Sequence, residues 1–310
     1  MTSKRKQAIA SVHFVAGCVI EHDYVYVAAK ADGLDPLTTD FTRMFFLDRG
    51  EWVHHDLPWD VKSVCVRRAH EPRQYAALSL QGDVELQFVG GQELERIPGA
   101  GTRDGEGALS QVREVGGHLV ACGFSGQVYV RGSAGWAPLG GGLAALGADT
   151  GEIHLTDLDG TGLDDLYAVG FHGRIFHFDG RAWSELASPT RAHLECVRVD
   201  GDRVFIAGND GTVLEGDRRG FRALPTEGFT EHLWGLARFQ GRTYVAHLGG
   251  LRVHDGTAWS PVDLGLADSG LPEDGYRLDA ADGVLWSFGP KRVACFDGRT
   301  WTAFPHPDNG

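Results

Sequence analysis

One plan recurs along the 310-residue chain: an alternating apolar run, a glycine-containing turn, a second alternating run, Asp-Gly, and an aromatic residue that opens a third run. It is plain in Leu166 to Leu186 (LYAVGFHGRIFHFDGRAWSEL), Thr243 to Val262 (TYVAHLGGLRVHDGTAWSPV) and Leu285 to Phe304 (LWSFGPKRVACFDGRTWTAF). Taking the aromatic as marker gives Trp52, Leu94 as a degenerate copy, Trp136, Trp183, Phe221, Trp259 and Trp301, at spacings of 42, 42, 47, 38, 38 and 42 residues. Seven copies about 40 residues apart are what four-stranded propeller blades require, each blade being four short antiparallel strands joined by three turns. A further strand ahead of each visible hairpin, such as Val61 to Arg67 or Leu194 to Val199, completes the four, labelled A to D from the axis outward. The expectation is an all-β, seven-bladed β-propeller occupying 1–310 as one domain, with blades over about 11–57, 58–98, 108–140, 152–187, 192–226, 231–264 and 275–305.

Asp179-Gly180, Asp255-Gly256 and Asp297-Gly298 are hairpin signals at the turn from strand C to strand D. The aromatic that follows is expected to pack between neighbouring blades. No blade can bury both faces alone, so the ring should fold as a unit. The last blade supplies its own strand D, Trp301 to Phe304, and the first its own strand A, so a strand-exchanged closure is not evident.

Composition agrees with many short strands and tight turns: 44 glycines, 16 phenylalanines and 8 tryptophans against two methionines. A formal charge of −13 repels phosphate backbones and acidic lipid headgroups, which makes nucleic acid and membrane poor partners and steers basic proteins toward the surface. Cys18, Cys65, Cys122, Cys196 and Cys295 are odd in number, scattered and set in apolar strand-like runs, so each reads as a small buried hydrophobe in a reducing compartment. Lys4, Arg5 and Lys6 precede an apolar run ending in Val15-Ala16-Gly17-Cys18, which resembles a lipoprotein cleavage site. That run is short and polar-interrupted, however, and residues 15–28 align without a gap on 194–207, which places Cys18 inside the first blade. A cytoplasmic protein is expected, with a surface or periplasmic lipoprotein adaptor as the alternative.

The run Gly162 to Trp183, GLDDLYAVGFHGRIFHFDGRAW, resembles a bacterial propeller repeat of the form DD-[VL]-[YW]-A-V-G-x-x-G-x-I-x-[HR]-[YF]-D-G-x-x-W. Propellers of this kind occur in bacterial surface and secreted proteins, and stand-alone chains of about this size are similar to immunity proteins that neutralise partner toxins. The resemblance implies a non-catalytic protein-binding propeller that sequesters and occludes a basic toxin domain, with no catalytic residues and no required cofactor. A fainter likeness to the Asp-box hairpins of sialidases fails on spacing, D-x-G-x-x-W there and D-G-x-x-W here. A propeller lyase or glycoside hydrolase is the enzymatic alternative, and it needs acids or a metal converging near the axis.

The sharpest local motif, Asp157-Leu158-Asp159-Gly160-Thr161-Gly162-Leu163-Asp164-Asp165, resembles a D-x-D-G-D-G-x-x-D calcium loop. Asp157, Asp159, Thr161 and Asp165 would be the oxygen ligands of a bound calcium ion. The departures are Thr161, where an acid or amide is usual, and the single copy; an acidic turn satisfied by its own backbone competes with the metal reading. The fourteen histidines show no zinc-ligand spacing, and Gly123-Phe124-Ser125-Gly126 is followed by a strand where a nucleophile elbow needs a helix.

Blade copies differ in length mainly at Ala31 to Thr42, between strands B and C of blade 1, and at the D-to-A connections near 98–108, 140–160 and 263–275. Because strands alternate in direction, B-to-C turns and D-to-A connections emerge on one side of the disc, where a docking surface is expected. Its candidate partner-binding residues are Asp32, Asp35, Asp40, Trp59, Asp60, Glu106, Asp149, Glu152, Phe171, His172, Glu231, Trp234, Glu273 and Asp274. Aromatic anchors ringed by carboxylates suit a basic protein.

Overall fold

A computed structural model describes residues 11–34, 40–141, 143–146, 153–226, 228–265 and 275–309. It contains seven four-stranded antiparallel sheets, each built from strands consecutive in sequence. The strands A are Val12–Glu21, Val61–Arg67, Leu109–Val115, Leu155–Gly162, Leu194–Asp200, Leu233–Phe239 and Arg277–Ala281. Each packs on the next and the seventh returns to the first, which closes a ring around an axis. The burial gradient follows from this arrangement. Strand B is covered on both faces by neighbouring blades, so Gln74–Ser79 and Val284–Phe288 are buried throughout, whereas strand D lies outermost and Trp183–Leu186 is exposed at two of four positions.

The marker aromatics open the strands D. The indole N–H of Trp136 donates to Glu95 Oε2 (2.9 Å), that of Trp183 to Leu139 O (3.3 Å) and that of Trp259 to Pro225 O (3.1 Å), so each indole ties its blade to the one before. Blade 2 corrects the sequence register. In the other blades the marker pairs with the residue five positions earlier on strand C, as Trp183 does with Phe178; in blade 2 that position is Gln92, paired with Gln87. Leu94 pairs with Glu85 and stands 58% exposed. The marker position of blade 2 is thus polar, and the apolar Leu94 two residues later only resembles a copy of the marker.

Strand A is the inner edge of every sheet, and its outward N–H and C=O groups need partners that the sheet does not supply. Side chains of the adjacent strand A provide them. Asp157 Oδ2 accepts from Val197 N (3.0 Å), Asp159 Oδ2 from Val199 N (2.8 Å), and Asp279 Oδ2 from Val19 N (2.7 Å), the last across the seam between blades 7 and 1. Among the described residues no strand is exchanged at that seam. Phe14 N donates to Pro290 O (2.8 Å), and Asn309 Oδ1 accepts from Val12 N (2.9 Å) and from Ser11 Oγ (3.0 Å) while its Nδ2 donates to Lys291 O (3.1 Å). His306 is buried against Phe14, Phe45 and Trp52 of blade 1.

All five cysteines are free and buried. Cys18 pairs with Tyr26 in the middle of the blade 1 hairpin, and cleavage before it would strip the buried Val12, Phe14 and Ala16 from strand A. Among the described residues no helix is long and apolar enough to cross a membrane.

Candidate protein-binding face

The B-to-C turns of blades 3 and 4 carry the A-x-G-x-x-G portion of the repeat and that of blade 5 its G-x-x-G, and the structure explains the glycines. In blade 4, Phe171 N donates to His154 O on the incoming D-to-A connection (3.0 Å), which draws that connection against the turn. A Cβ at Gly170 would stand 2.0 Å from the His154 carbonyl oxygen; Gly173, at φ +74°, would place one 2.1 Å from Thr190 O. Blades 3 and 5 repeat the staple through Phe124 N to Ala108 O and Asn209 N to His193 O, both 2.8 Å. Gly170→Ala should therefore lower unfolding free energy by about 1–3 kcal/mol, the usual range for overpacking, read as a reduced denaturation midpoint.

The staple delivers the residue after the first glycine to the loop face. Phe124 and Phe171 meet there (ring centroids 5.8 Å) together with His154, stacked on Phe124 at 4.3 Å, and His193, set edge-on to Phe171 at 4.2 Å. His172, exposed and at φ +60°, completes a half-buried aromatic platform across blades 3 to 5, its N–H directed at His193 Nδ1 (3.4 Å). A second group, His232, Trp234 and Tyr276, crosses from blade 6 to blade 7. The indole N–H groups of Trp59 and Trp234 are shielded from water with no acceptor among the described residues. Leu34, Leu146 and Leu248 stand exposed on loops of the same face.

The expected acids are divided. Asp32 is bonded to Lys291 and His13; burial works to raise its pKa, but hydrogen bonds from Lys291, Ser11 and His13 hold it at about 2. Asp60 pairs with Lys30 (2.6 Å) and Glu231 with Arg252 (3.1 Å). These three are neutralised within the protein, which leaves Asp40 and Glu106 exposed at the rim. Asp35, Asp149, Glu152, Glu273 and Asp274 lie outside the described residues.

The calcium expectation is corrected by geometry. Asp157 to Gly162 form strand A of blade 4 rather than a loop. Asp157 is 2% exposed and takes Arg113 in a two-pronged pair (both 3.0 Å) and Arg198 (2.8 Å), and Asp159 serves Val199. Thr161 and Asp165 sit at the hairpin end, where Asp165 accepts from the threonine hydroxyl (3.0 Å) and meets His177 (2.9 Å). The four do not converge, and among the described residues no group of three His, Cys, Asp or Glu side chains is arranged to hold a metal ion.

An immune protein of Pseudomonas aeruginosa, Tsi7, is 31% identical over 298 residues, 93% of this chain and 95% of its own length. No family model matches. Among solved structures, the WD40 β-propeller domain of Doa1 superposes with a TM-score of 0.70 at 11% identity, covering 93% of this chain and 95% of its own. YCF48 bound to D1 peptide superposes at 0.65 and 14% identity, covering 98% and 100%. At such identities these two speak for the fold alone.

Proposed function

The chain belongs to the family of the immune protein Tsi7, and on that premise we propose that it is an immunity protein, a propeller that binds a toxin protein and acts without catalysis. The observation that carries this reading is the likeness to Tsi7, which runs through nearly the whole of both chains and so embraces all seven blades. The loop face supports it as the docking surface, since aromatic anchors held by a rigid ring lose little conformational freedom on binding. Occlusion is steric at the platform. The charge of −13 steers a basic toxin domain over longer range, with Asp40 and Glu106 at the rim setting register. Neutralisation by direct capture places the protein in the compartment where it would meet the toxin, here the cytoplasm.

Co-expression with the product of the neighbouring gene tests this. The expected outcome is rescue of growth and recovery of a stoichiometric complex on size exclusion. A protein that gives neither rescue nor a complex with any neighbouring product overturns the proposal, and turnover on a glycan panel would move the chain to the enzymatic class.

A further inference from the structure

The axis of the ring is lined by none of the platform's aromatic rings. It encloses a channel of about 260 Å³ lined mainly by strands A. In a chain of formal charge −13, this lining is cationic on balance: Lys62, Arg68, Arg113, Arg198 and Arg277 face it against Glu114, Asp159 and Asp279. Most of these groups are satisfied within the wall. Arg113 and Arg198 bind Asp157, Arg68 donates to the carbonyls of Val19 and Ile20, and Glu114 accepts from the N–H of Arg68 and Ala69. Asp159 and Asp279 cap the neighbouring strands as described above.

Two cations are left at the loop-side end, where the strands A begin. Arg277 donates from Nη1 to Trp234 O (3.0 Å), and its other N–H groups make no hydrogen bond among the described residues. Lys62 makes no hydrogen bond or ion pair among the described residues. Its side chain is open to the solvent of the channel, and the surrounding protein wall, then the charge of Arg277, push its ammonium below the usual lysine range. Glu195, on strand A of blade 5, forms an ion pair with neither cation, and burial raises its own pKa. Lys62 and Arg277 face the same channel, and an anion between two like charges that line one cavity relieves their repulsion.

We propose that the loop-side end of the axial channel is a binding site for an anion of carboxylate or phosphate chemistry, held between Lys62 and Arg277. Arginine offers a planar fork that matches either oxyanion and lysine a mobile point charge, the pairing that such groups favour. The channel volume fits a small anion and is below that of a site for a drug-sized molecule. The end opens among the D-to-A connections of the docking face, so the oxyanion arrives either free in solution or as an acidic side chain of a docked protein.

The first arm of the test uses the protein alone and is independent of the toxin reading. Inorganic phosphate and malonate are titrated into the whole chain in low-salt buffer, with Tm and heat of binding as readouts, alongside Lys62→Met and Arg277→Met. The expected result is an anion-dependent rise in Tm in the wild type that Lys62→Met abolishes. In anion-free buffer, Lys62→Met should melt at or above the wild type, because it removes the repulsion with Arg277; a merely structural lysine would show the reverse. If neither anion binds the free protein, a loss of toxin affinity of at least about tenfold in Lys62→Met, with Tm retained, assigns the oxyanion to an acidic side chain of the partner. Lys62→Met that loses no anion response and binds toxin as the wild type does overturns the proposal.

Discussion

Replacing Asp157 by asparagine is expected to remove about 3–5 kcal/mol of stability, the loss that follows when one partner of a buried ion pair is deleted and the other charges stay behind. The site links three consecutive blades: Arg113 comes from strand A of blade 3, Asp157 from blade 4, and Arg198 with the Val197 N–H from blade 5. In Asp157→Asn two guanidinium groups keep their burial and lose their counter-charge. A urea titration followed by tryptophan fluorescence reads the change as a lower midpoint. Asp159→Asn is the internal comparison. Its carboxylate accepts from the N–H of Val199 and of Gly160, and burial already disfavours its charge, so its loss should cost much less.

The same substitution predicts a change in pH dependence. Burial acts to raise the pKa of Asp157, but Arg113 and Arg198 outweigh it and the net shift is downward. The native state therefore binds fewer protons than the unfolded chain between the lowered value and the ordinary carboxylate value near about 4. The stability contributed by Asp157 is fully present above about pH 4 and is lost as pH falls through the native value. Asp157→Asn should flatten that part of the acid limb. A wild-type and a variant curve that stay parallel from neutral pH to pH 2 would show that the pair carries none of it.

How much of this was legible in the sequence depended on whether a signal repeated. The seven-fold spacing, the hairpin turns and the crowding of long connections on one face follow from backbone geometry that each blade must satisfy again, so they recur and can be read. Asp157 and Asp159 occur once, and their function is to cap the bare edge of the neighbouring strand A, a contact between residues 40 apart that resembles a calcium loop only in one dimension. The platform lay between these extremes. Phe171 and His172 are among the expected partner-binding residues, whereas Phe124, His154 and His193 are not, although a signal for the histidines exists. His154, His193 and His232 recur at 39-residue intervals, each followed by leucine and each immediately before a strand A. Read against the blade period, that triplet marks the rim of the axis. The neutralised acids were beyond reach, because the sequence does not reveal that Lys291, from blade 7, meets Asp32 of blade 1.

Truncating Phe171 to alanine should weaken the toxin complex at least about thirtyfold, in the range of a hot-spot anchor worth about 2 kcal/mol or more, and chiefly by faster dissociation. Phe171 is the hub of the platform, with Phe124 at 5.8 Å, His154 at 5.1 Å and His193 at 4.2 Å, and the stapled turn holds its backbone in place before any partner arrives. Because the ring is only half buried in the free protein, its removal should leave Tm nearly unchanged, which separates a binding defect from a folding one. Asp40→Lys and Glu106→Lys act differently: as rim charges they should slow association and reduce its salt dependence, with little change in dissociation. Val89, 84% exposed on a C-to-D turn of the opposite face, supplies the control, and Val89→Asp should bind as the wild type does. If Val89→Asp weakens the complex and Phe171→Ala leaves it intact, the toxin docks on the short-turn side, and the long connections on the other rim answer to a different constraint.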